Sequence, residues 1–147
     1  MYKLISACFG VGYIKGGGTI AALVVSICWY FICKNNCSYM FEIAATILIT
    51  AIGIWASGEV EKDWGKDSSK VVIDEAAGMC VSLLFLPTKV KYVFAAFILF
   101  RFFDIAKPLY IRRLEKLPRG WGVMADDLLS GIYSNLIMQI IIAVNLF

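Results

Sequence analysis

Apolar residues along this chain gather in runs that are separated by short polar stretches. The five longest apolar runs cover residues 20–33, 41–56, 71–86, 92–106 and 128–147. Their lengths approach the roughly 20 residues with which a helix crosses a bilayer. The pattern therefore predicts an all-α fold, a multi-helix integral membrane bundle with about five membrane-embedded helices.

Two shorter segments do not fit the spanning pattern. Residues 4–14 are apolar but contain two glycines and are too short to cross about 30 Å of hydrocarbon. We expect a re-entrant or interfacial segment there. Residues 108–117 place apolar side chains on one helical face and charged ones on the others, which predicts an amphipathic helix lying in the membrane surface. Pro108 suits the first turn of that helix.

The composition places the whole chain, residues 1–147, in a single membrane domain. Hydrophobic residues make up 61% of the sequence and the mean hydropathy is +0.78, whereas soluble domains contain about 45–50% apolar residues. The net charge of +3 is too small to indicate a nucleic-acid partner.

Positive charges are distributed unevenly among the predicted connections. If the connections 57–70 and 107–125 share one side with the N-terminus, that side carries ten Lys and Arg residues and the opposite side carries three. Cytoplasmic connections generally carry the excess of Lys and Arg. The distribution predicts that these connections face the cytoplasm and that the C-terminus lies outside.

Five carboxylate side chains interrupt the apolar runs or stand at their ends. A charged side chain at the bilayer centre costs about 2.5–3.5 kcal/mol, so these groups must contact water, pair with a cation or bind a metal. Magnesium and calcium prefer such oxygen ligands. The helix ends share one side of the membrane, which predicts one or two metal ions bound by Asp74, Glu75, Asp104, Asp126 and Asp127. The alternative interpretation makes the same residues helix caps, ion-pair partners of Arg101 or Lys107, and interfacial charges.

Basic and polar side chains near these acids predict a phosphate site. Arg101 is a fork-shaped donor for phosphate oxygens, and Lys107 supplies a compact positive charge. Residues 15–19 form a glycine-rich loop that ends in Thr19 and whose backbone can approach an anion closely; the alternative interpretation is a plain flexible turn. The chain has no histidine, which excludes serine–histidine catalysis, histidine-ligated zinc and the histidine-dependent membrane phosphatases. Metal ions with Arg and Lys can still cleave a phosphate ester, and the membrane setting indicates a phospholipid headgroup as substrate.

Four ordered blocks of the sequence match a known pattern. They are GGGTIAAL (16–23), KDSSKVVIDEAAGM (66–79), FRFFDIAKPLYIR (100–112) and RGWGVMADDLLSG (119–131). In these blocks the chain resembles the phosphatidylglycerophosphatase A family, magnesium-dependent bacterial membrane phosphatases that convert phosphatidylglycerophosphate to phosphatidylglycerol. The family pattern falls on Thr19, Asp67, Asp74, Glu75, Gly78, Arg101, Asp104, Lys107, Pro108, Gly122, Asp126, Asp127 and Gly131.

The chain departs from the family pattern at two places. The stretch GGTIAA at 17–22 stands where the family usually has Pro-Gly-Thr-x-Gly-Ser, and Lys107-Pro108-Leu109-Tyr110 stands where it often has Lys-Pro-x-Pro. The acidic residues of the pattern are all present, so the resemblance still implies activity.

The resemblance implies a Mg²⁺ cofactor, a phosphatidylglycerophosphate substrate and hydrolysis of a phosphoric monoester in phospholipid biosynthesis. It also implies a multi-pass protein of the bacterial cytoplasmic (inner) membrane with its active site on the cytoplasmic face. The five carboxylates would form the catalytic and metal-binding set, while Arg101, Lys107 and Thr19 would bind the substrate phosphate. The residues leave open whether water or an aspartate attacks phosphorus, and they leave the oligomeric state open.

Two other functions compete with hydrolysis. A membrane phosphotransferase of the CDP-alcohol class also uses aspartates and magnesium, but the chain lacks the compact DG…AR…G…D…D stretch of that class. A cation channel or transporter would spread its carboxylates through the depth of the membrane. The acids here are predicted to gather at one face, which favours chemistry over conduction.

Overall fold

The apolar runs fold into helices in a computed structural model, which describes residues 1–35, 37–66, 68–108, 110–114 and 116–146. The described residues contain no strand, and the predicted all-α fold is confirmed. A short segment of 3-10 turns, Cys8–Tyr13, which is kinked at Phe9 and Gly10, follows the first helix. The α-helices are α1 Tyr2–Ser6, α2 Gly17–Cys33, α3 Tyr39–Trp64, α4 Ile73–Leu83, α5 Val90–Ala106, α6 Ile111–Leu114 and α7 Gly120–Ala143.

The short helix α4 lies at the centre of the molecule and packs against α2, α3, α5 and α7. It has 11 residues, nine of which are buried. Its closest approach is to α7, because a Cβ added at Gly131 would lie 2.4 Å from the Gly78 carbonyl oxygen and one added at Gly78 would lie 2.6 Å from the Asp127 carbonyl oxygen. The two glycines therefore let the helix that begins at Ile73 touch the helix that carries Asp127.

Helix α7 begins earlier than the sequence predicts. The predicted connection 107–125 precedes the apolar run 128–147, yet α7 is helical from Gly120. A Cβ at Gly120 would lie 2.2 Å from the Ile54 carbonyl oxygen of α3, so this glycine is where two helices meet. As a result, Asp126 and Asp127 lie in the second turn of α7 and not at its start.

The predicted surface helix at 108–117 is shorter than expected. Among the described residues of this stretch, only Ile111–Leu114 is helical, Pro108 lies before it in a turn, and the Ile111 side chain is fully buried. Leu109 and Glu115 lie outside the described residues. Ile111 thus anchors a short turn to the protein interior. The prediction of a long amphipathic helix that starts at Pro108 is wrong.

One helix in the described part of the chain, α3, has both the length and the apolar content to cross a membrane. It has 26 residues and continues past residue 56 into the connection predicted at 57–70, where it ends at Trp64. Helices α2 and α5 have 17 residues each, and α4 spans only about 16 Å at 1.5 Å per residue. The prediction of about five membrane-embedded helices is therefore not confirmed. The outer surface is nonetheless apolar, with Phe31, Leu48 and Phe94 each about 60% exposed.

A single side chain of α7 holds the end of α4. Asn135 Nδ2 donates to the carbonyl oxygens of Ser82 (3.1 Å) and Leu84 (2.8 Å). Asn135→Ala should lower the free energy of unfolding by about 1–3 kcal/mol, because it leaves buried carbonyl groups without a donor. Reversible denaturation in detergent micelles measures this loss. Gln139→Ala is the control, since Gln139 donates to the Asn135 side chain and not to the end of α4 in the described structure; an equal effect of both variants would contradict this role of Asn135.

Candidate active site

A cavity of about 620 Å³ opens where four helix ends meet. Helices α2, α4 and α7 contribute residues near their N-termini, α5 contributes residues near its C-terminus, and residues 68–71 close one side. All eight residues predicted for catalysis, metal binding or phosphate binding line this one cavity: Thr19, Asp74, Glu75, Arg101, Asp104, Lys107, Asp126 and Asp127.

Three carboxylates form the acidic centre of the cavity. Asp74, Glu75 and Asp127 each offer one oxygen atom, and these oxygens lie within 4.8 Å of one another. Asp74 and Asp127 are 9% and 3% exposed. Asp74 and Glu75 occupy the first turn of α4, where the helix dipole stabilises negative charge.

The donor chemistry of this acidic centre fits a hard divalent cation. Within the described residues, Asp74 Oδ1 and Glu75 Oε2 are buried and accept no hydrogen bond. Buried carboxylate oxygens without donors are costly unless a proton or a cation neutralises them. Carboxylate oxygens are also the ligands that Mg²⁺ and Ca²⁺ prefer. The residues present can therefore hold such an ion.

The start of α2 packs directly against this centre. A Cβ added at Gly18 would lie 1.9 Å from Glu75 Oε1 and 2.6 Å from Glu75 Cδ. Gly16 precedes the helix with φ of 80°, a left-handed conformation that favours glycine. The predicted loop 15–19 is thus helical from Gly17 onward. The absence of a side chain at Gly18 makes room for the Glu75 carboxylate.

The remaining two acids of the predicted set contact basic side chains. Arg101 forms an ion pair with Asp104 one helical turn away. Lys107 Nζ lies 2.6 Å from Asp126 Oδ2, and these residues are 19 positions apart. Lys107 ends α5 with φ of 44°. Asp104 is therefore an ion-pair partner, as the alternative interpretation had it. Asp74, Glu75 and Asp127 form the group of carboxylates that could bind a metal ion.

Several cavity residues were not among the predicted site residues. Lys15, Ser68, Ser69 and Lys70 also line the wall, and Lys70 Nζ lies 5.3 Å from the ring centroid of Trp64. These residues belong to connecting segments, where hydropathy shows only that they are exposed. The family match at Asp67 could have directed attention to 68–70, but Asp67 itself lies outside the described residues.

One cysteine lies close enough to the acidic centre to be considered as a nucleophile. Burial and, to a smaller extent, the nearby Glu75 carboxylate raise the pKa of the Cys8 thiol to about 11. A thiol with such a pKa stays protonated at neutral pH, whereas only the thiolate attacks. Cys8 is therefore not the source of a covalent intermediate.

The arrangement favours chemistry on an anionic oxygen compound over ion conduction. The described cavity wall carries five acidic and four basic side chains, and they gather at one end of the bundle. Cations beside a metal-binding set can neutralise a phosphoryl group during its transfer. A continuous ion path would instead need carboxylates along the length of the helices.

Known proteins similar to this chain are consistent with that chemistry. A sequence profile of the family "Phosphatidylglycerophosphatase A" matches residues 4–142. A Bacteroides thetaiotaomicron protein, provisionally named a phosphatidylinositol-3-phosphatase, is 42% identical over 144 residues, which are 93% of this chain and 91% of that protein. No solved structure matches.

Two relatives carry the name phosphatidylglycerophosphatase A. The Haemophilus influenzae protein is 38% identical over 96 residues, covering 63% of this chain and 59% of its own length. The Escherichia coli protein is 32% identical over 120 residues, covering 80% of this chain and 69% of its own length. The chain belongs to the phosphatidylglycerophosphatase A family and is an enzyme of the phosphatase class.

Proposed function

We propose that this protein is a divalent-cation-dependent lipid phosphatase that hydrolyses phosphatidylglycerophosphate to phosphatidylglycerol and phosphate. The observation that carries the proposal is the close group of Asp74, Glu75 and Asp127 in one cavity with Arg101 and Lys107. Transfer of a phosphoryl group depends mainly on positioning and on neutralising charge. This cavity has the side chains for both.

Asp74, Glu75 and Asp127 would hold Mg²⁺ through their mutually close carboxylate oxygens. A bound Mg²⁺ supplies charge neutralisation for the phosphoryl oxygens. Metal removal should therefore abolish phosphate release. We expect EDTA to lower the rate by about 100-fold or more, the scale of losing a principal charge-stabilising group, and added Mg²⁺ to restore it. Phosphate release that is insensitive to EDTA would contradict the assignment.

The basic side chains would grip the phosphate. Arg101 lines the cavity, and its guanidinium is a donor suited to phosphate oxygens. Asp104 orients the guanidinium, and Asp126 holds Lys107 at the cavity wall. Thr19 and the first turn of α2 would contact the phosphate from the opposite side, where a helix N-terminus favours an anion.

The cavity would face the cytoplasm from within a multi-pass protein of the bacterial cytoplasmic membrane. The broad apolar outer surface supports burial in lipid, because soluble monomers rarely expose contiguous apolar patches above a few hundred Å². The cavity is lined by Lys15, Lys70 and Lys107, which belong to the predicted positively charged side. A phospholipid headgroup would reach it at the membrane surface.

A phosphorylated inositol lipid is the second candidate substrate. The observation that favours it is the name of the Bacteroides thetaiotaomicron relative, to which this chain is 42% identical across 91% of that protein. Both lipids carry a phosphomonoester on a polyol headgroup, so the same acidic centre and cations serve either reaction.

Phosphate release from the two lipids, presented in identical detergent micelles, tests the proposed function. We expect kcat/KM to be higher for phosphatidylglycerophosphate than for phosphatidylinositol 3-phosphate. The reverse order would assign the enzyme to the inositol lipid. Release from neither lipid with Mg²⁺ present would contradict a lipid phosphatase of either kind.

A further inference from the structure

A groove between α2 and α5 begins one helical turn beyond the acidic cavity. Thr19 and Arg101 line the cavity, whereas Leu23 and Phe97, each four residues away on the same helices, line the groove. Residues four apart share a helix face. The cavity and the groove therefore follow one another along the same faces of these two helices.

The groove has an apolar wall and a volume of about 180 Å³. Leu23, Ile27 and Phe31 line it from α2, and Val90 and Phe94 line it from the far end of α5. Ser26 and Tyr30 are the two residues of the wall that carry a hydroxyl, and the Ser26 hydroxyl donates to the Ala22 carbonyl oxygen at 2.8 Å. The other lining residues have hydrocarbon side chains, so the wall suits an apolar ligand.

The groove extends through most of one leaflet of a membrane. From Leu23 to Phe31 the helix rises about 12 Å at 1.5 Å per residue, and half of the hydrocarbon core of a bilayer is about 15 Å. An occupant that fills the polar cavity at one end and the groove along this length must have an anionic head and a long apolar chain.

We propose that the α2–α5 groove binds one acyl chain of the phospholipid whose phosphomonoester enters the acidic cavity. This assignment rests on the proposed function and extends it to the part of the substrate that does not react. The groove would align the lipid along α2 and α5 and so set the depth at which its headgroup meets Asp74, Glu75 and Asp127.

A second apolar groove provides the control. It lies between α2 and α3, has a volume of about 170 Å³, and is lined by Val24 and Phe41. Val24 is 47% exposed and Leu23 is 44% exposed, so the two neighbours are equally accessible. One turn before Val24 stands Ile20, which does not line the cavity. This second groove is thus not aligned with the acidic centre.

Tryptophan at each position separates the two grooves. Leu23→Trp should raise KM for the long-chain lipid about tenfold, the effect of losing the burial of roughly two methylene groups. Val24→Trp should leave that KM within about twofold of the wild-type value. It replaces one exposed apolar residue by another outside the proposed binding groove, and such surface substitutions have small effects. Hydrolysis of the deacylated headgroup phosphate should be the same for both variants and wild type. Equal KM values for both variants, or loss of hydrolysis of the deacylated compound by Leu23→Trp, would overturn the assignment.

A crosslinking experiment tests acyl-chain binding in the groove without requiring turnover. Lipids with a photoreactive diazirine in one acyl chain are crosslinked to the wild-type protein, one bearing a phosphomonoester headgroup and the other bearing phosphocholine. We expect residues 23–31 and 90–97 to be labelled several-fold more by the phosphomonoester lipid. Equal labelling would make the groove an ordinary lipid-contact surface and overturn the proposal. Headgroup-dependent labelling without phosphate release would retain the groove and reject the proposed reaction.

Discussion

Asp127→Asn is expected to reduce phosphate release by about 100- to 1,000-fold, the range for removing one preorganised charge-stabilising group. The amide keeps the shape of the carboxylate but removes its charge and one metal-ligand oxygen. Asp127 is 3% exposed and shares the acidic centre with Asp74 and Glu75. Water therefore cannot replace the lost ligand easily. Phosphate assays at saturating lipid and over a range of Mg²⁺ concentrations measure the loss.

Asp63→Asn is the matched control for this substitution. Asp63 lies at the polar end of α3, where its Oδ2 pairs with Lys3 Nζ at 2.9 Å and accepts a hydrogen bond from the Tyr2 hydroxyl. The chemical change is identical, but exposed ion pairs contribute only about 0–1 kcal/mol, so activity should stay near that of wild type. The unfolding temperature of Asp127→Asn should not fall, because the substitution relieves repulsion among buried carboxylates. A folded Asp127→Asn protein with wild-type activity would remove Asp127 from the active site.

Gly18→Ala is expected to lower kcat/KM about 10- to 100-fold, the range seen when a group that supports metal ligands is altered. The added Cβ would lie 1.9 Å from Glu75 Oε1, so the carboxylate must leave its present position in the acidic centre. The Glu75 side chain is flexible enough to do so without moving the backbone. The Mg²⁺ concentration for half-maximal activity should rise in parallel.

Stability distinguishes this effect from misfolding. Gly18 lies inside α2, and alanine favours a helix over glycine by about 1 kcal/mol, so the unfolding temperature should stay the same or rise. Gly58→Ala is the control in α3, since a Cβ there would make an ordinary 3.5 Å contact with the Gly120 backbone nitrogen. Unchanged Mg²⁺ dependence in Gly18→Ala would show that the start of α2 does not position Glu75.

Hydropathy predicted the helical class and the approximate course of α2, α3 and α5, because each is apolar along most of its length. It missed the start of α7 for a physical reason. Glycine at Gly120 and Gly122 weakens intrinsic helix propensity, and the helix forms there because close packing against Ile54 compensates for it. Such a contact between distant segments leaves no periodic signal in the sequence.

The sequence likewise indicated some features of the candidate active site and not others. Asp74, Glu75 and Asp127 stand out in the sequence because charge inside apolar runs is costly. The one-turn spacing also indicated the Arg101–Asp104 pair. The Lys107–Asp126 contact joins residues 19 positions apart, and the contact of Gly18 with Glu75 crosses from α2 to α4. Both depend on how the helices pack, which spacing along the chain does not reveal.

The Mg²⁺ dependence of phosphate release from phosphatidylglycerophosphate, compared between wild type and Asp74→Asn, tests the central claim most directly. Wild-type protein should release phosphate with Mg²⁺ and fall to background with EDTA. Folded Asp74→Asn should stay near background at every Mg²⁺ concentration, because a buried ligand of the acidic centre is lost. Metal-independent release by the wild type, or near-wild-type release by Asp74→Asn, would contradict a metal-dependent phosphatase centred on Asp74, Glu75 and Asp127.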